Sequence, residues 1–320
     1  MEELASVIIP LFNQAAFIGK AISSVLAQTY GDIEVVVVDD GSSDESTDIV
    51  RSIADPRLRL VEQENRGPSA ALNTGLRHSR GKYLALLGGD DMAHDRRIEK
   101  QIDALERGAL DSVFCKPQLI DSNDQPIAPE YLSSFFNVPP GSDPAVHFRK
   151  LFADANYLCA PSHLMRRDVV DRIGYFHEGL VQAQDFEYAV RMTSAGMKLL
   201  IVEEPLVLYR RHSQNLSRAN HRNNALRREL LTIYRHFLDF ASPRILRSAF
   251  ADIFDPELDL DRALSPDELG FIFMSHSDPS VRAIAVEYLV QGRKDQATLH
   301  QSGKELMSFK EYLSFMDEPY

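Results

Sequence analysis

The sequence predicts an α/β protein: a mixed, mostly parallel sheet flanked by helices, followed by an all-helical C-terminal extension. Three observations predict it. Strand-like and helix-like segments alternate along the first part of the chain. The strand-like runs are uniformly apolar, as in strands covered on both faces, rather than alternating. Strand signals then stop after about Ser217, and only helical patterns follow.

Residues 5–9 are short, apolar and β-branched and stop at Pro10. From Ala16 apolar residues recur at helical spacing, with Phe17, Ala21 and Val25 on one stripe and Ile18 and Ile22 beside it. Residues 33–38 read as a buried strand. Ser43-Asp44-Glu45-Ser46 opens a helix with capping residues and acids in its first turn. Residues 58–61 read as a third strand, Gly67-Pro68-Ser69 starts a helix, and residues 81–87 form a fourth strand. Alternation of this kind means βαβ units.

Residues 110–218 mix strand-like pieces at 112–120, 157–165, 198–202 and 206–209 with a helix at about 185–195. A Pro- and Gly-rich loop covers 137–142. Helices are expected at 225–240, 244–253, 266–275, 280–290 and about 309–316, two of them with capping sequences at Ser265 and Asp278. This divides the chain into residues 1–218 and a helical unit, 219–320.

Composition narrows the function. With 47 acids against 35 Lys and Arg, the formal net charge is −12. A nucleic-acid binder needs a positive field to neutralise phosphates, so nucleic acid is excluded as a partner. Cys115 and Cys159 are the two cysteines, without a CxxC, which excludes a disulfide scaffold and a structural zinc site. A cytoplasmic protein is expected. The first residues lack a signal-peptide pattern, and no apolar run approaches the roughly 20 residues of a membrane helix. Residues 224–240 are basic and amphipathic, which suits packing on the core but leaves open a peripheral membrane contact at the inner face or a homo-oligomer contact.

In a parallel sheet, ligands sit beyond the carboxyl ends of the strands. Two of those ends carry paired carboxylates, Asp39-Asp40 and Asp90-Asp91. The first pair suits hydrogen bonds to a base or ribose, or capping of the next helix. The second, after Gly88-Gly89, suits either a hard divalent cation bridging to phosphates or a simple turn. Asp185 starts a helix and suits an N-cap or a general base. Six arginines and no acid lie between Pro205 and Arg228. Arginine's planar fork suits a pyrophosphate, and a solvated basic face is the alternative. The dinucleotide fingerprint, the P-loop and the nucleophile elbow are all absent.

Taken in order, these stretches resemble the family 2 glycosyltransferases, which have the GT-A fold. The matching pieces are Ser6-Val7-Ile8-Ile9-Pro10-Leu11-Phe12-Asn13, Val38-Asp39-Asp40-Gly41-Ser42, Asn65-Arg66-Gly67-Pro68, Gly89-Asp90-Asp91, Gln184-Asp185-Phe186-Glu187 and Leu208-Tyr209-Arg210-Arg211-His212. The resemblance spans about residues 5–217. It implies an inverting, metal-dependent glycosyltransferase that moves a sugar from a nucleotide-sugar donor, a UDP-sugar by default, to a hydroxyl of a saccharide-type acceptor. Pro10, Phe12 and Asp40 would line the base pocket, with Asp39 beside it. Arg66 would sit near the base or phosphates, and Asp90 would face the ribose or sugar. Asp91 would coordinate Mn²⁺ or Mg²⁺. Asp185 would be the catalytic base. Arg210, Arg211 and His212 would hold the pyrophosphate, with His212 a second metal ligand. Many relatives have an acid where this chain has Gly88, and Glu-Asp where it has Gln184-Asp185. The alternatives are a non-catalytic sugar-nucleotide or glycan-binding module and a metal-dependent nucleotidyltransferase. The latter would be expected to have a Gly-rich basic loop where this chain has Leu11-Phe12-Asn13-Gln14.

Overall fold

The computed structural model describes residues 3–128, 137–215, 225–254 and 259–295. In chain order the first half contains β1 (Ala5–Leu11), α1 (Ile18–Leu26), β2 (Ile33–Asp39), α2 (Ser46–Ser52), β3 (Leu58–Glu62), α3 (Pro68–His78) and β4 (Tyr83–Leu86). A two-residue β5 (Met92–Ala93), α4 (Arg97–Arg107) and β6 (Ser112–Ile120) follow, then α5 (Pro144–Asp154), β7 (Leu164–Arg166), α6 (Arg167–Ile173), α7 (Gln184–Ser194) and β8 (Leu199–Arg210). The remainder is helical: α8 (Ala225–Arg235), α9 (Pro243–Ala249), α10 (Pro266–Met274), α11 (Pro279–Arg282) and α12 (Ala285–Asp295).

The strands form one eight-stranded sheet in the order β3-β2-β1-β4-β7-β6-β8-β5. Strands β1 to β4 run parallel, and β7 pairs antiparallel to both β4 and β6. That reversal leaves β6, and β8 paired parallel to it, running with the first four. Short β5 pairs antiparallel on the far edge. The expected mixed, mostly parallel sheet is therefore present, and its apolar runs have a simple cause. Successive side chains point to opposite faces, and both faces are covered. Val7 and Ile9 pack in one core with α1 and α4, whereas Ile8 packs in the other with α3, α5 and α7.

Three expectations are corrected. The strand expected at 157–165 is mostly a buried, irregular segment, and only Leu164–Arg166 pairs. Pro161, inside the 3₁₀ turn Ala160–Ser162, has no N–H for a ladder. The strands expected at 198–202 and 206–209 are one long strand, β8, whose centre at Glu203, Glu204 and Pro205 is exposed. Beside it β6 shifts register between Cys115 and Pro117. The helix expected at 280–290 is two, α11 and α12. The capping sequences behave as expected: Ser265 and Glu268 form a reciprocal capping box, and Asp278 accepts from the Ser280 N–H. The helix expected near 309–316, and Arg218 and Arg222, lie outside the described residues.

The later helices share the core under α5 and α7. Phe152 sits in an aromatic cluster with Tyr234, Phe237, Phe250 and Phe273, at centroid distances of 5.2 to 6.1 Å and mostly edge-to-face. On α8, Ile233 and Tyr234 are buried, and Leu226 and Leu230 pack against the same cluster. Among the described residues no helix is long and apolar enough to cross a membrane.

Candidate active site

The parallel directions bring the carboxyl ends of β1, β2, β4 and β8 to one edge of the sheet. The loops there are tied to one another. The Asp40 N–H donates to the Leu11 carbonyl (2.9 Å), and the Leu87 N–H to the Ile8 carbonyl (3.1 Å). The Asn13 N–H donates to Ser42 Oγ (3.0 Å), and the Ser43 N–H donates back to Asn13 Oδ1 (2.8 Å).

Asp39 and Asp40 are both buried. Asp39 accepts from the Ser42 N–H (3.1 Å) and the Thr47 hydroxyl (2.6 Å), so it fixes the turn into α2. Asp40 reaches across to the next loop. It accepts from Gln63 Nε2 (2.7 Å) and from the N–H groups of Arg66 (2.9 Å) and Gly67 (2.8 Å). Gly67 has φ of +90°, a conformation that side chains disfavour. Phe12 is 47% exposed beside this pair, an open aromatic face, and Pro10 is half-buried. The Arg66 side chain extends to Glu178 (2.7 Å).

Asp90 and Asp91 follow β4. Asp91 is buried and accepts from the Arg210 backbone N–H (2.8 Å). Burial, and the neighbouring Asp90, push its carboxyl well above the usual carboxylate range. His212 Nε2 lies 2.9 Å from Asp90 Oδ2, which also accepts from Asn215 Nδ2 (3.0 Å). The other oxygens converge on Gly88. A Cβ there would lie 2.5 Å from Asp91 Oδ2 and 2.8 Å from Asp90 Oδ1. The absent side chain at 88 is thus what lets both carboxylates fold into one space.

Arg210 is not where a pyrophosphate ligand was expected. Its side chain is fully buried, donating to the carbonyls of Asp90 (2.7 Å) and Asp121 (2.8 Å) and pairing with Asp124 (2.6 Å). Its guanidinium also lies over the Phe17 ring at 4.8 Å, and Phe17 in turn packs on His212. Arg210 therefore braces the Asp90 loop from behind. Arg211 and His212 are partly exposed at the same strand end.

Asp185 lies in the first turn of α7, partly buried. Asn156 Nδ2 donates to its Oδ2 (2.8 Å), and the Phe186 N–H to its Oδ1 (2.8 Å). Burial raises its pKa to about 6 despite those bonds. The segment before α7 is stitched to α3. The Ser69 hydroxyl donates to the Leu180 carbonyl (2.6 Å), and Asn73 exchanges hydrogen bonds with the Phe176 backbone (both 2.9 Å). The loop at Arg66 and the helix of Asp185 are thus joined through α3.

Sequence reasoning missed Phe17, Asp124, Asn156 and Asn215. Asn215 follows His212 by three residues and its Oδ1 accepts the His212 N–H (2.6 Å), a local signal that was readable. Asn156 is 29 residues from Asp185, and nothing local marks it. Among the described residues, no group of three or more His, Cys, Asp or Glu is arranged to hold a metal.

Comparison with known proteins agrees with this geometry. The chain is 28% identical over 223 residues to the uncharacterized glycosyltransferase EpsJ of Bacillus subtilis, covering 68% of this chain and 64% of that one. It is 31% identical over 204 residues to the glycosyltransferase AglE of Haloferax volcanii, covering 62% and 64%. The chain thus spans 64% of the length of each of these two curated relatives. Among solved structures, residues 1–349 of S. aureus TarS in complex with UDP-GlcNAc superpose with a TM-score of 0.62 at 16% identity, over 95% of this chain and 94% of that one. The mannosyltransferase PcManGT of Pyrobaculum calidifontis, in complex with GDP-Man and Mn²⁺, superposes with a TM-score of 0.53 at 21% identity, over 99% and 84%. The fold is GT-A. The family model for glycosyl transferase family 2 matches residues 6–174, more than half of the chain, and the protein belongs to that family.

Proposed function

We propose that the protein is an inverting glycosyltransferase that moves a sugar from a UDP-sugar to an acceptor hydroxyl of a glycan, lipid-linked saccharide or protein, in surface polysaccharide or glycoconjugate synthesis. Residues 1–218 carry donor binding and catalysis, and the described helices between Ala225 and Asp295 brace them. The observation that carries the reading is Asp185, a partly buried carboxylate with a pKa of about 6 in the first turn of α7. Near neutral pH it is ionised yet basic enough to take a proton, as general-base catalysis needs.

In this mechanism Asp185 removes the proton from the acceptor hydroxyl. That oxygen attacks the anomeric carbon from the face opposite the leaving nucleoside diphosphate, and the configuration inverts. Phe12 offers the base an aromatic face, and Asp39 and Asp40 keep the surrounding loops in register for hydrogen bonds to base and ribose. Arg66 lies at the rim. Arg211 and His212 face the diphosphate, with Arg210 holding their strand end from behind.

The residues fit a divalent cation. Asp90 Oδ1 and Asp91 Oδ2 share one space over Gly88, and a cation would relieve their mutual repulsion. Two carboxylates plus donor phosphates are a usual Mg²⁺ or Mn²⁺ set. Such an ion neutralises charge on the departing diphosphate. UDP is favoured because TarS is held with UDP-GlcNAc, and the GDP-Man of PcManGT makes a guanine nucleotide the competitor.

The test is Asp185→Asn, with donor binding followed by calorimetry. The expected outcome is loss of transfer with donor affinity kept. Transfer near the wild-type rate would defeat the assignment. A thermal-shift screen of nucleoside diphosphates with Mn²⁺ ranks UDP against GDP, since a ligand that binds the folded state raises apparent stability.

A further inference from the structure

Ala183 stands at the N-cap of α7 and has no side chain that can cap it. The chain running into α7 carries backbone N–H groups that no helical bond satisfies, and the one at Ala183 is buried, where an unpaired donor is costly. Their partner comes from α8. Glu229 accepts from three successive N–H groups: Val181 on Oε1 (3.1 Å), and Gln182 (3.0 Å) and Ala183 (2.9 Å) on Oε2. Ala183 and Glu229 are 46 residues apart in sequence. Bonds to an ionised acceptor are short and strong, and a carboxylate at a helix N-terminus also meets the favourable end of the dipole. Glu229 is itself well anchored. One turn on, Ile233 and Tyr234 are buried, and the Tyr234 hydroxyl donates to the Phe152 carbonyl (3.1 Å).

The clamped turn ends two residues before Asp185. We propose that Glu229 is a positioning residue for transfer: from the helical C-terminal unit it fixes the start of α7 and thereby the direction in which Asp185 presents its carboxylate. This rests on the reading of Asp185 as the base. It makes α8 part of the active site's framework rather than a cover on its far side. The groups on Asp185 are the Asn156 amide, the Phe186 N–H and, acting through space, the negative charge of Glu229, which holds Asp185 towards its protonated form.

The experiment uses the full chain with Glu229→Gln, Glu229→Ala and Asp185→Asn in parallel. A glutamine turns an NH₂ towards one side of the clamp, so it breaks the array while keeping the shape. For Glu229→Gln, kcat should fall roughly 10- to 100-fold, the scale of a small misplacement at a reacting centre. Calorimetric donor affinity should be unchanged. The acid limb of the pH–rate profile should move to lower pH, because a negative charge near Asp185 is gone. Hydrogen exchange at residues 181–183 should quicken. If Glu229→Ala does not fold, the glutamine variant decides. A wild-type kcat and pH profile in Glu229→Gln, with Asp185→Asn inactive, overturns the role of Glu229 and leaves the base standing. Transfer retained by Asp185→Asn overturns the base, and the positioning role with it.

Discussion

Burying Asp185 until its pKa reaches about 6 has a cost in stability as well as a use in catalysis. The folded pKa lies above the unfolded one, so the folded state binds the extra proton between roughly pH 4 and 6. Stability contributed by this group therefore falls as pH rises through that window and stays low above it. Asp185→Asn should be more stable than wild type at pH 7, by up to about 3 kcal/mol, and the gain should vanish near pH 4. Urea melts at the two pH values measure it, and an equal difference at both would contradict the burial argument. The same shift sets the activity. The value of kcat/KM should rise as pH passes about 6, and a profile flat from pH 5 to 8 would contradict it. At this scale the sequence was legible where the chemistry is local to a strand or helix end. Asp39, Asp40, Asp90, Asp91 and Asp185 all lie at such ends. It was not legible where a partner arrives from far along the chain, as Asn156 and Glu229 do. Arg210 shows a different limit: a charged residue type says nothing about which way it faces, and here it turns inward onto Asp124.

Among the elements, α3 lies against β1 because Gly75 has no side chain. A Cβ there would meet Ile8 Cγ2 at 2.3 Å and Val38 Cγ2 at 3.3 Å. Gly75→Ala should therefore cost about 1–3 kcal/mol, the range for overpacking a filled core, read as a lower denaturation midpoint. Gly88→Ala acts on a different property. Its Cβ would displace carboxylates rather than core, so Mn²⁺-dependent donor affinity should drop in calorimetry while the denaturation midpoint stays close to wild type. Undiminished affinity would mean that the two carboxylates do not share the ion. The long, doubly covered strands β1 and β2 were readable as apolar runs. By contrast β5 and β7 are two and three residues long, too short for any period to register. The sequence also hid α4. Its buried face holds Arg97 and Gln101 among Ile98, Ile102 and Leu105, so polar residues interrupt the apolar stripe. Arg97 is tolerated there because its donors reach Gln101 and the carbonyls of Leu86 and His163.

Over the whole molecule, the change from alternating to helical signals after residue 218 was plain in the sequence, and residues 224–240 read as suited to packing on the core, but the surface they meet there was not legible. Periodicity reports that a helix has an apolar face and leaves out what that face meets. Phe148, Phe152 and Phe186 are each at most 1% exposed, and the helices that cover them come after residue 225. A chain cut at residue 218 should consequently aggregate, seen as light scattering and a lost soluble fraction. A monodisperse fragment would contradict the shared core. The net charge of −12 is a property of the solvated surface, whereas the fully buried ions Arg97 and Arg210 stand behind the candidate site. The aromatic cluster around Phe152 also constrains the order of events during synthesis. Phe273 follows Phe152 by about 120 residues, which at roughly 5–20 residues per second is on the order of ten seconds of translation. In the later part of that interval, once β8 has been made at Arg210, the nascent chain has every described strand of its sheet and still holds an uncovered aromatic surface. Birth on the ribosome, rather than the finished state, is therefore the stage at which this aromatic surface is open to contact with other chains.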